Sequence, residues 1–557
     1  MSTGDESVGF QKKVIKTNSS WWEGGSVYQI YPRSFKDSND DGIGDLRGII
    51  SKLDYVKSLN VDALWICPFY QSPMVDFGYD VSDYRKIDPM FGDIEVFKEL
   101  LTKAHQRDLK VIVDLVLSHT SEEHEWFKES VESPDSKYGD YYVWYEGDKV
   151  PNNWLSVFGG PAWTYHEKRK AYYLHNFLTQ QPDLNLHNPL VQEELINVAK
   201  YWLDFGVDGF RLDACNMYFH NTSLKNNPVI EAKGGAPKNL VQDELNPYFS
   251  QVHQYDKSQP DNIEFLSRLR AEVDKYENKY LIGEIFCENI ENTTTCYTKD
   301  GKPLHSAYNF SLLVNEKSPE LFSRNISKFY KISPQTSWSL SNHDVTRVVS
   351  RWKDRNSVDF RAKAYNALLA GLPGTIILYQ GEELGLEEAI LPKECYQDPF
   401  GSNIDSPYLG RDGCRTPIPW ESSDSLGGFS NASPWLPIIS EHLKKSVKTQ
   451  ISNNNSVLCY TQKLLKFRSQ NSIICDANIE FVKDDLNVIH YIRKSTSSSL
   501  HFCFNFGQEN YLYKFSGDIS KCNVVEDLSF NYLSDSKDLE NSFSLKPSGI
   551  IVLETFF

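Results

Sequence analysis

The chain has 557 residues, 40% of them hydrophobic and 24% charged, which excludes a disordered or fibrous protein and calls for two or three domains. A formal net charge of −17 argues against nucleic acid or an anionic membrane as the main partner, and fits action on a neutral molecule. No stretch approaches the roughly 18 apolar residues needed to span a bilayer. The opening MSTGDESVGFQKKVIKTNSSWW lacks an apolar secretory core. Ten cysteines are scattered without CxxC pairs, so a cytoplasmic protein with reduced thiols and no zinc site is expected.

From about residue 26 the chain alternates short apolar runs with amphipathic segments. GSVYQIYP reads as a strand, LRGIISKLDYVKSLN as a helix and VDALWICP as a strand. DIEVFKELLTKAHQRD then reads as a helix and LKVIVDLVLSH as a third strand. Between His119 and about residue 187 the rhythm breaks into a segment crowded with Trp, Tyr, Gly, Pro and Asn, which reads as an inserted subdomain. It resumes with PLVQEELINVAKYWLDFG (helix), VDGFRLD (strand), FLSRLRAEVDKYEN (helix), KYLIGEIF (strand) and, later, GTIILYQG. Beyond residue 474 the alternating segments IEFVKDDLNVIHYIRKS and SLHFCFNFG indicate an antiparallel β domain. The expected division is therefore 1–119 and 188–473 for one parallel α/β domain, 120–187 for the insertion and 474–557 for the β domain.

A parallel alternation of this length is either doubly wound or a (β/α)₈ barrel. The glycine fingerprints of the doubly wound nucleotide folds are absent, which favours the barrel. In a barrel, functional residues gather where strands end. Asp114 and His119 lie on or just after VIVDLVLSH, Arg211 and Asp213 close GFRLD, Glu284 closes LIGEIF, and His343 and Asp344 close WSLSNHD. Arg211 and Asp213 stand two apart on one strand and so share a face. They form either a buried structural pair or a carboxylate held ionised for chemistry. A separate loop, DSNDDGIGD, carries Asp37, Asn39, Asp41 and Asp45 at alternate positions with Gly42 for the turn. Such hard oxygen donors suit Ca²⁺ or Mg²⁺, although Gly48 stands where an EF-hand would have its bidentate Glu.

DLVLSH, GFRLDACN, GEIF and SNHD occur in the order of the four conserved regions of the family 13 glycoside hydrolases, the α-amylase family. QPDLN at 181–185 resembles the fifth region of its α-glucosidase and oligo-1,6-glucosidase branch. The resemblance covers about four-fifths of the chain and implies a catalytic (β/α)₈ TIM barrel, a subdomain inserted after strand 3 and a C-terminal antiparallel β-sandwich. It implies Asp213 as nucleophile with Arg211 beneath it, Glu284 as general acid/base, and Asp344 on the sugar 2- and 3-hydroxyls, with His119 and His343 on the same sugar. It also implies Asp76 and Tyr79 of SPMVDFGYD as the grip on the non-reducing glucose, with Arg415 of GRDGCRTP as partner of Asp76. Phe158 and Phe177 are candidates for the pocket mouth. In the metal loop it adds the Ile43 carbonyl as a ligand of a structural Ca²⁺ (or Mg²⁺).

Ser118 departs from the family pattern, which has Asn before the first-region His; that puts the calcium of the true amylases in doubt but not the catalytic residues. Ala214, following the nucleophile, accompanies α-1,4 preference in this branch, so maltose-type links or sucrose are expected over isomaltose. The expected activity is that of a retaining, exo-acting α-glucosidase, working as a monomer or homodimer on small saccharides. A glucosyltransferase or sucrose isomerase on the same scaffold is the alternative; the segment CNMYFHNTSLKNNPVIEAKGG would help admit a sugar acceptor. A non-catalytic relative of the transporter heavy chains is disfavoured, because the three carboxylates are present.

Overall fold

The computed structural model describes residues 20–230, 246–287, 289–403, 410–476, 478–483, 485–534 and 541–557. Most of the N-terminal stretch and residues 231–235 of the 215–235 segment lie outside them. Eight parallel strands close into a barrel, each bonded to the next and the last to the first. They are β1 Ser26–Ile30, β2 Ala63–Ile66, β3 Lys110–Leu115, β4 Gly209–Leu212, β5 Tyr280–Ile285, β6 Ser306–Asn309, β7 Ser337–Ser339 and β8 Thr375–Tyr379.

Strand periodicity decides what fills this barrel. Val27, Ala63, Trp65, Ile112, Tyr280, Ile282, Tyr308, Ile377 and Tyr379 form one buried cluster in the lumen. Their chain neighbours Tyr28, Leu64, Val111, Val113 and Leu281 join the cluster that includes the surrounding helices. Register then sets Asp114 of β3 beside Arg211 of β4, and Arg211 beside Ile282 of β5. Two residues further along, β4 and β5 present Asp213 and Glu284. The lumen therefore turns from apolar to charged towards the strands' C-terminal ends. Gly209 is required here, since a Cβ would sit 2.2 Å from the Tyr280 carbonyl oxygen.

Helices between the strands start on side-chain caps. Asp93 accepts from Val96 N–H ahead of Ile94–His105, and Asn188 precedes Pro189–Phe205, which ends on Gly206 at φ +105°. The single helix expected over LRGIISKLDYVKSLN is two, Leu46–Ser51 and Leu53–Ser58, broken at Lys52 with φ −115° and ψ 10°. Strand β6 escaped the reading of apolar runs because it is four residues long and the first of its two lumen positions is a serine. Ser306 Oγ lies 2.6 Å from Ser337 Oγ, which in turn is 3.0 Å from Tyr280 OH, so polar side chains close the barrel floor.

After β3 the insertion contributes the helix Glu125–Glu132 and a three-stranded antiparallel sheet around Val143, Trp154, Trp163 and Leu174. A bridge between His119 and Asp183 brings it back to the barrel rim. At the C-terminal end a seven-stranded antiparallel sheet is organised on one long strand, Ser542–Phe556, which pairs with four others. Phe502, Phe504, Ile550 and Val552 pack with the barrel's core cluster. Cys503, Ile551 and Leu553 on the opposite face pack with Tyr513, Phe543 and Leu545, so the sheet is bent over itself into two layers. None of the ten cysteines is in a disulfide. Among the described residues no helix is long and apolar enough to cross a membrane.

Candidate active site

The ends of β3, β4 and β5 bring three carboxylates to one guanidinium. Arg211 is 1% exposed. Its Nη1 donates to Asp114 Oδ1 and Asp213 Oδ1 at 2.7 Å each, and its Nη2 forms an ion pair with Glu284 Oε2 at 2.6 Å. Trp65 Nε1 donates to the second oxygen of Asp114 at 2.9 Å. Ala214 takes φ +40°, a strained value for a residue with a side chain, and its N–H donates to Glu284 Oε2 at 3.0 Å.

A single positive charge cannot compensate three buried negative ones. Burial pushes Asp213 up to about 7, opposed by Arg211 and reinforced by Asp114 and Asp344. Glu284 is also pushed up to about 7, by burial first, with Arg211 opposing and Asp213 and Asp344 adding. The pair therefore keeps a proton close to neutral pH.

Loops after β2, β3, β7 and β8 form the neighbouring wall. Asp344 Oδ1 accepts from Arg411 Nη1 and Arg415 Nη2 at 3.0 Å each, and Oδ2 lies 3.2 Å from His343 Nε2. Burial works against its ionisation, but His343, Arg411 and Arg415 hold it well below the usual carboxylate range. The arginines carry most of that effect near neutrality, because burial pushes His343 down to about 3 and leaves it uncharged. The Tyr79 ring is parallel to that of His343, with its hydroxyl 2.6 Å from His343 Nε2. Gln29 Nε2 holds the other ring nitrogen at 2.8 Å. His119 sits between Ser118 Oγ at 2.9 Å and Gln181 Nε2 at 3.2 Å, and burial lowers it to about 4. Ser118, the departure from the family pattern, thus steadies the imidazole.

The pairing of Arg415 with Asp76 does not form. Arg411 takes that place, with Nη2 donating to Asp76 Oδ1 at 2.9 Å. Arg415 gives its Nε to the His343 carbonyl at 2.7 Å and its Nη2 to Asp344. The 3₁₀ turn Asp412–Cys414 separates the two arginines of GRDGCRTP by about one turn, so the first reaches the cavity wall and the second braces Asp344 from behind. Both share one motif, which is why the sequence could point to the segment but not to the side chain.

These groups line a cavity of about 880 Å³ including its mouth. Its remaining walls are apolar: Met217 and Phe249 after β4, Phe286 after β5, Phe310 after β6, Phe158 and Phe177 from the insertion, and Phe400 after β8. Phe286 lies 5.9 Å from Phe249 and 6.0 Å from Phe310, a continuous band. Asn246 also lines the cavity, but its amide is spent on the Val157 carbonyl and the Tyr248 N–H. Sequence reasoning found Phe158 and Phe177 and missed this band. For Phe286 a signal existed, since it lies two residues beyond Glu284 and continues that side of the strand.

The metal loop is arranged differently. Asp37 accepts from the N–H groups of Asn39, Asp40 and Gly42, Asp41 from Ile43 N–H, and Asp45 from Ser38 and Gly48 N–H as a helix cap. Among the described residues no three His, Cys, Asp or Glu side chains converge as a ligand set. The donor chemistry suits a hard cation, but the carboxylates as placed serve the loop's own backbone.

Carboxylates paired through a buried arginine at the mouth of a parallel barrel are placed for acid–base and nucleophilic chemistry. Residues 29–477 match the α-amylase catalytic domain, and the chain belongs to that family and is a glycoside hydrolase. It is 44% identical over 506 residues to a probable α-glucosidase of Rhizobium meliloti, covering 89% of this chain and 91% of that one. It is 35% identical over 570 residues to the oligo-1,6-glucosidase of Bacillus cereus, covering 96% and 99%. Among solved structures it resembles the α-glucosyl transfer enzyme XgtA, with a TM-score of 0.92 and 41% identity, covering 96% of this chain and all of that one.

Proposed function

We propose that the protein is an exo-acting, retaining α-glucosidase that releases terminal non-reducing glucose from short α-glucosides, with maltose-type α-1,4 links or sucrose favoured. Asp213 attacks the anomeric carbon while Glu284 gives its proton to the leaving oxygen. Glu284 then takes a proton from water as water displaces Asp213. Asp344, with His119 and His343, holds the sugar hydroxyls. The observation that carries this reading is the shared guanidinium. Asp213 and Glu284 lie within reach of one arginine, in keeping with the close carboxyl spacing of retaining enzymes, about 5–5.5 Å. Asp76 and Arg411 close the far end, which supports removal of single terminal units.

Glucose release from maltose, sucrose, isomaltose and trehalose, with Asp213→Asn as control, tests it. Release that disappears in the control is expected. Conversion to other saccharides without free glucose would replace this reading with a transferase or isomerase. The phenylalanine band favours that second reading as a side activity, because it can exclude water where an acceptor would sit.

The 37–45 loop is proposed to take Ca²⁺ or Mg²⁺ through Asp37, Asn39, Asp41, the Ile43 carbonyl and Asp45, as a structural cation only. Added Ca²⁺ should then raise the melting temperature of the wild type and not of Asp41→Ala; equal response of the two would exclude the site.

A further inference from the structure

Arg411 is ringed by three carboxylates, and only two of them face the cavity. Asp76 and Asp344 line it; Asp398 does not. Asp398 takes the guanidinium side-on, with Nε donating to Oδ2 at 2.9 Å and Nη2 to Oδ1 at 2.8 Å, and Arg411 N–H adds a third bond to Oδ2 at 2.6 Å. Such a bidentate pair fixes the plane of the guanidinium. The Asp398 side chain is fully buried and is fixed in turn. Asp412 Oδ2 accepts from the N–H of Asp398 and of Gln397, at 2.9 and 2.6 Å. Gly410 makes the approach possible: it has φ +93°, and a Cβ there would lie 2.8 Å from both Asp398 Cβ and Oδ2.

We propose that Asp398 is a positioning residue that holds Arg411 side-on and so keeps Asp76 and Asp344 available to the terminal glucose; this rests on the glucosidase reading above. An entering sugar can exchange its hydroxyls for the contacts of Arg411 with Asp76 and Asp344, but it cannot reach the contact with Asp398. The charge of Arg411 stays compensated throughout, and neither lining carboxylate is drawn into a side-on pair of its own. Without Asp398 the guanidinium turns onto Asp76 or Asp344, and glucose must break that pair to enter. The cost falls on binding and not on bond cleavage, because Asp213 and Glu284 bond to Arg211 and Ala214 instead.

Asp398→Asn keeps the shape and removes the charge. KM for the best α-glucoside and the calorimetric Kd for glucose should rise together, about tenfold or more, with kcat within about threefold of wild type. The pH profile of kcat should not move. A merely loosened fold would lower kcat and leave the glucose Kd alone, and that result would overturn the proposal, as would an unchanged KM and Kd. Asp412→Asn, whose side chain bonds to the N–H groups of Gln397 and Asp398 and not to the Arg411 guanidinium, should move both constants the same way by less. It carries the test if circular dichroism shows that Asp398→Asn does not fold. Because the Kd does not depend on turnover, a wild type that binds glucose yet hydrolyses nothing would sink the glucosidase reading alone.

Discussion

Around the barrel mouth, the loops after β2, β3, β7 and β8 supply Asp76, Tyr79, His119, His343, Asp344 and Arg411 together with the rings of Phe158, Phe177 and Phe400, whereas those after β4, β5 and β6 supply Met217, Phe249, Phe286 and Phe310. One half is charged and cross-braced, with nearly every polar atom fixed by a neighbour, so it can read the position of each hydroxyl on a sugar. The other half offers ring faces that measure shape and apolar area. Asp213 and Glu284 stand on the seam between them. On the proposed glucosidase reading, the contrast makes the enzyme strict about the unit it removes and permissive about the group that unit leaves behind.

The largest expected effects come from the seam, where both halves depend on the same chemistry. Asp213→Asn should lower turnover of every α-glucoside by roughly 10⁴-fold, and Glu284→Gln by roughly 10²–10⁴-fold. The loss in Glu284→Gln should be smallest for aryl glucosides, whose leaving groups need least protonation; an equal loss for all leaving groups would remove Glu284 from the acid role.

The two halves should then separate. Arg411→Ala takes charged hydrogen bonds, worth about 1.5–3 kcal/mol each, from the strict half, so kcat/KM should fall by a similar factor for every aglycone. Phe286→Ala should cost about tenfold for bulky apolar aglycones and leave the glucose Kd unchanged. A Phe286→Ala defect that is uniform across aglycones would erase the distinction.

The smallest effect is on stability. Burial holds Glu284 at about 7 in the fold, above the ordinary 4.5. Between those values the folded protein keeps a proton that the unfolded chain has released, so stability falls as pH rises through that window. Relative to Glu284→Gln, which cannot ionise, the wild type should therefore lose about 2 °C or more of melting temperature between about pH 5.5 and pH 7.5.

The charged half was largely legible in the sequence and the apolar half was not, for a physical reason. Asp213, Glu284, Asp344 and Asp76 are costly to bury, so their place at strand ends marks them as purposeful. A phenylalanine is welcome anywhere in a core, and neither Phe249 nor Phe310 differs in sequence from the rings packed behind it. Arg411 shows the same limit at finer scale. Charge and motif identified its segment, but the choice between Arg411 and Arg415 depends on which way a three-residue turn faces. Strand β6 stayed hidden because a barrel floor closed by serine hydroxyls leaves no apolar run to detect.

The long strand Ser542–Phe556 has a consequence in time. Synthesis runs from the N-terminus, and domains tend to fold as they emerge. The barrel can close once β8 has appeared at Tyr379 to meet β1. The C-terminal sheet cannot follow suit, because three of its strands find their only partner, and Ser498–Asn505 its second, in residues 542–556. The catalytic barrel therefore spends the synthesis of well over a hundred residues with the face that Phe502, Ile550 and Val552 will cover still open to water.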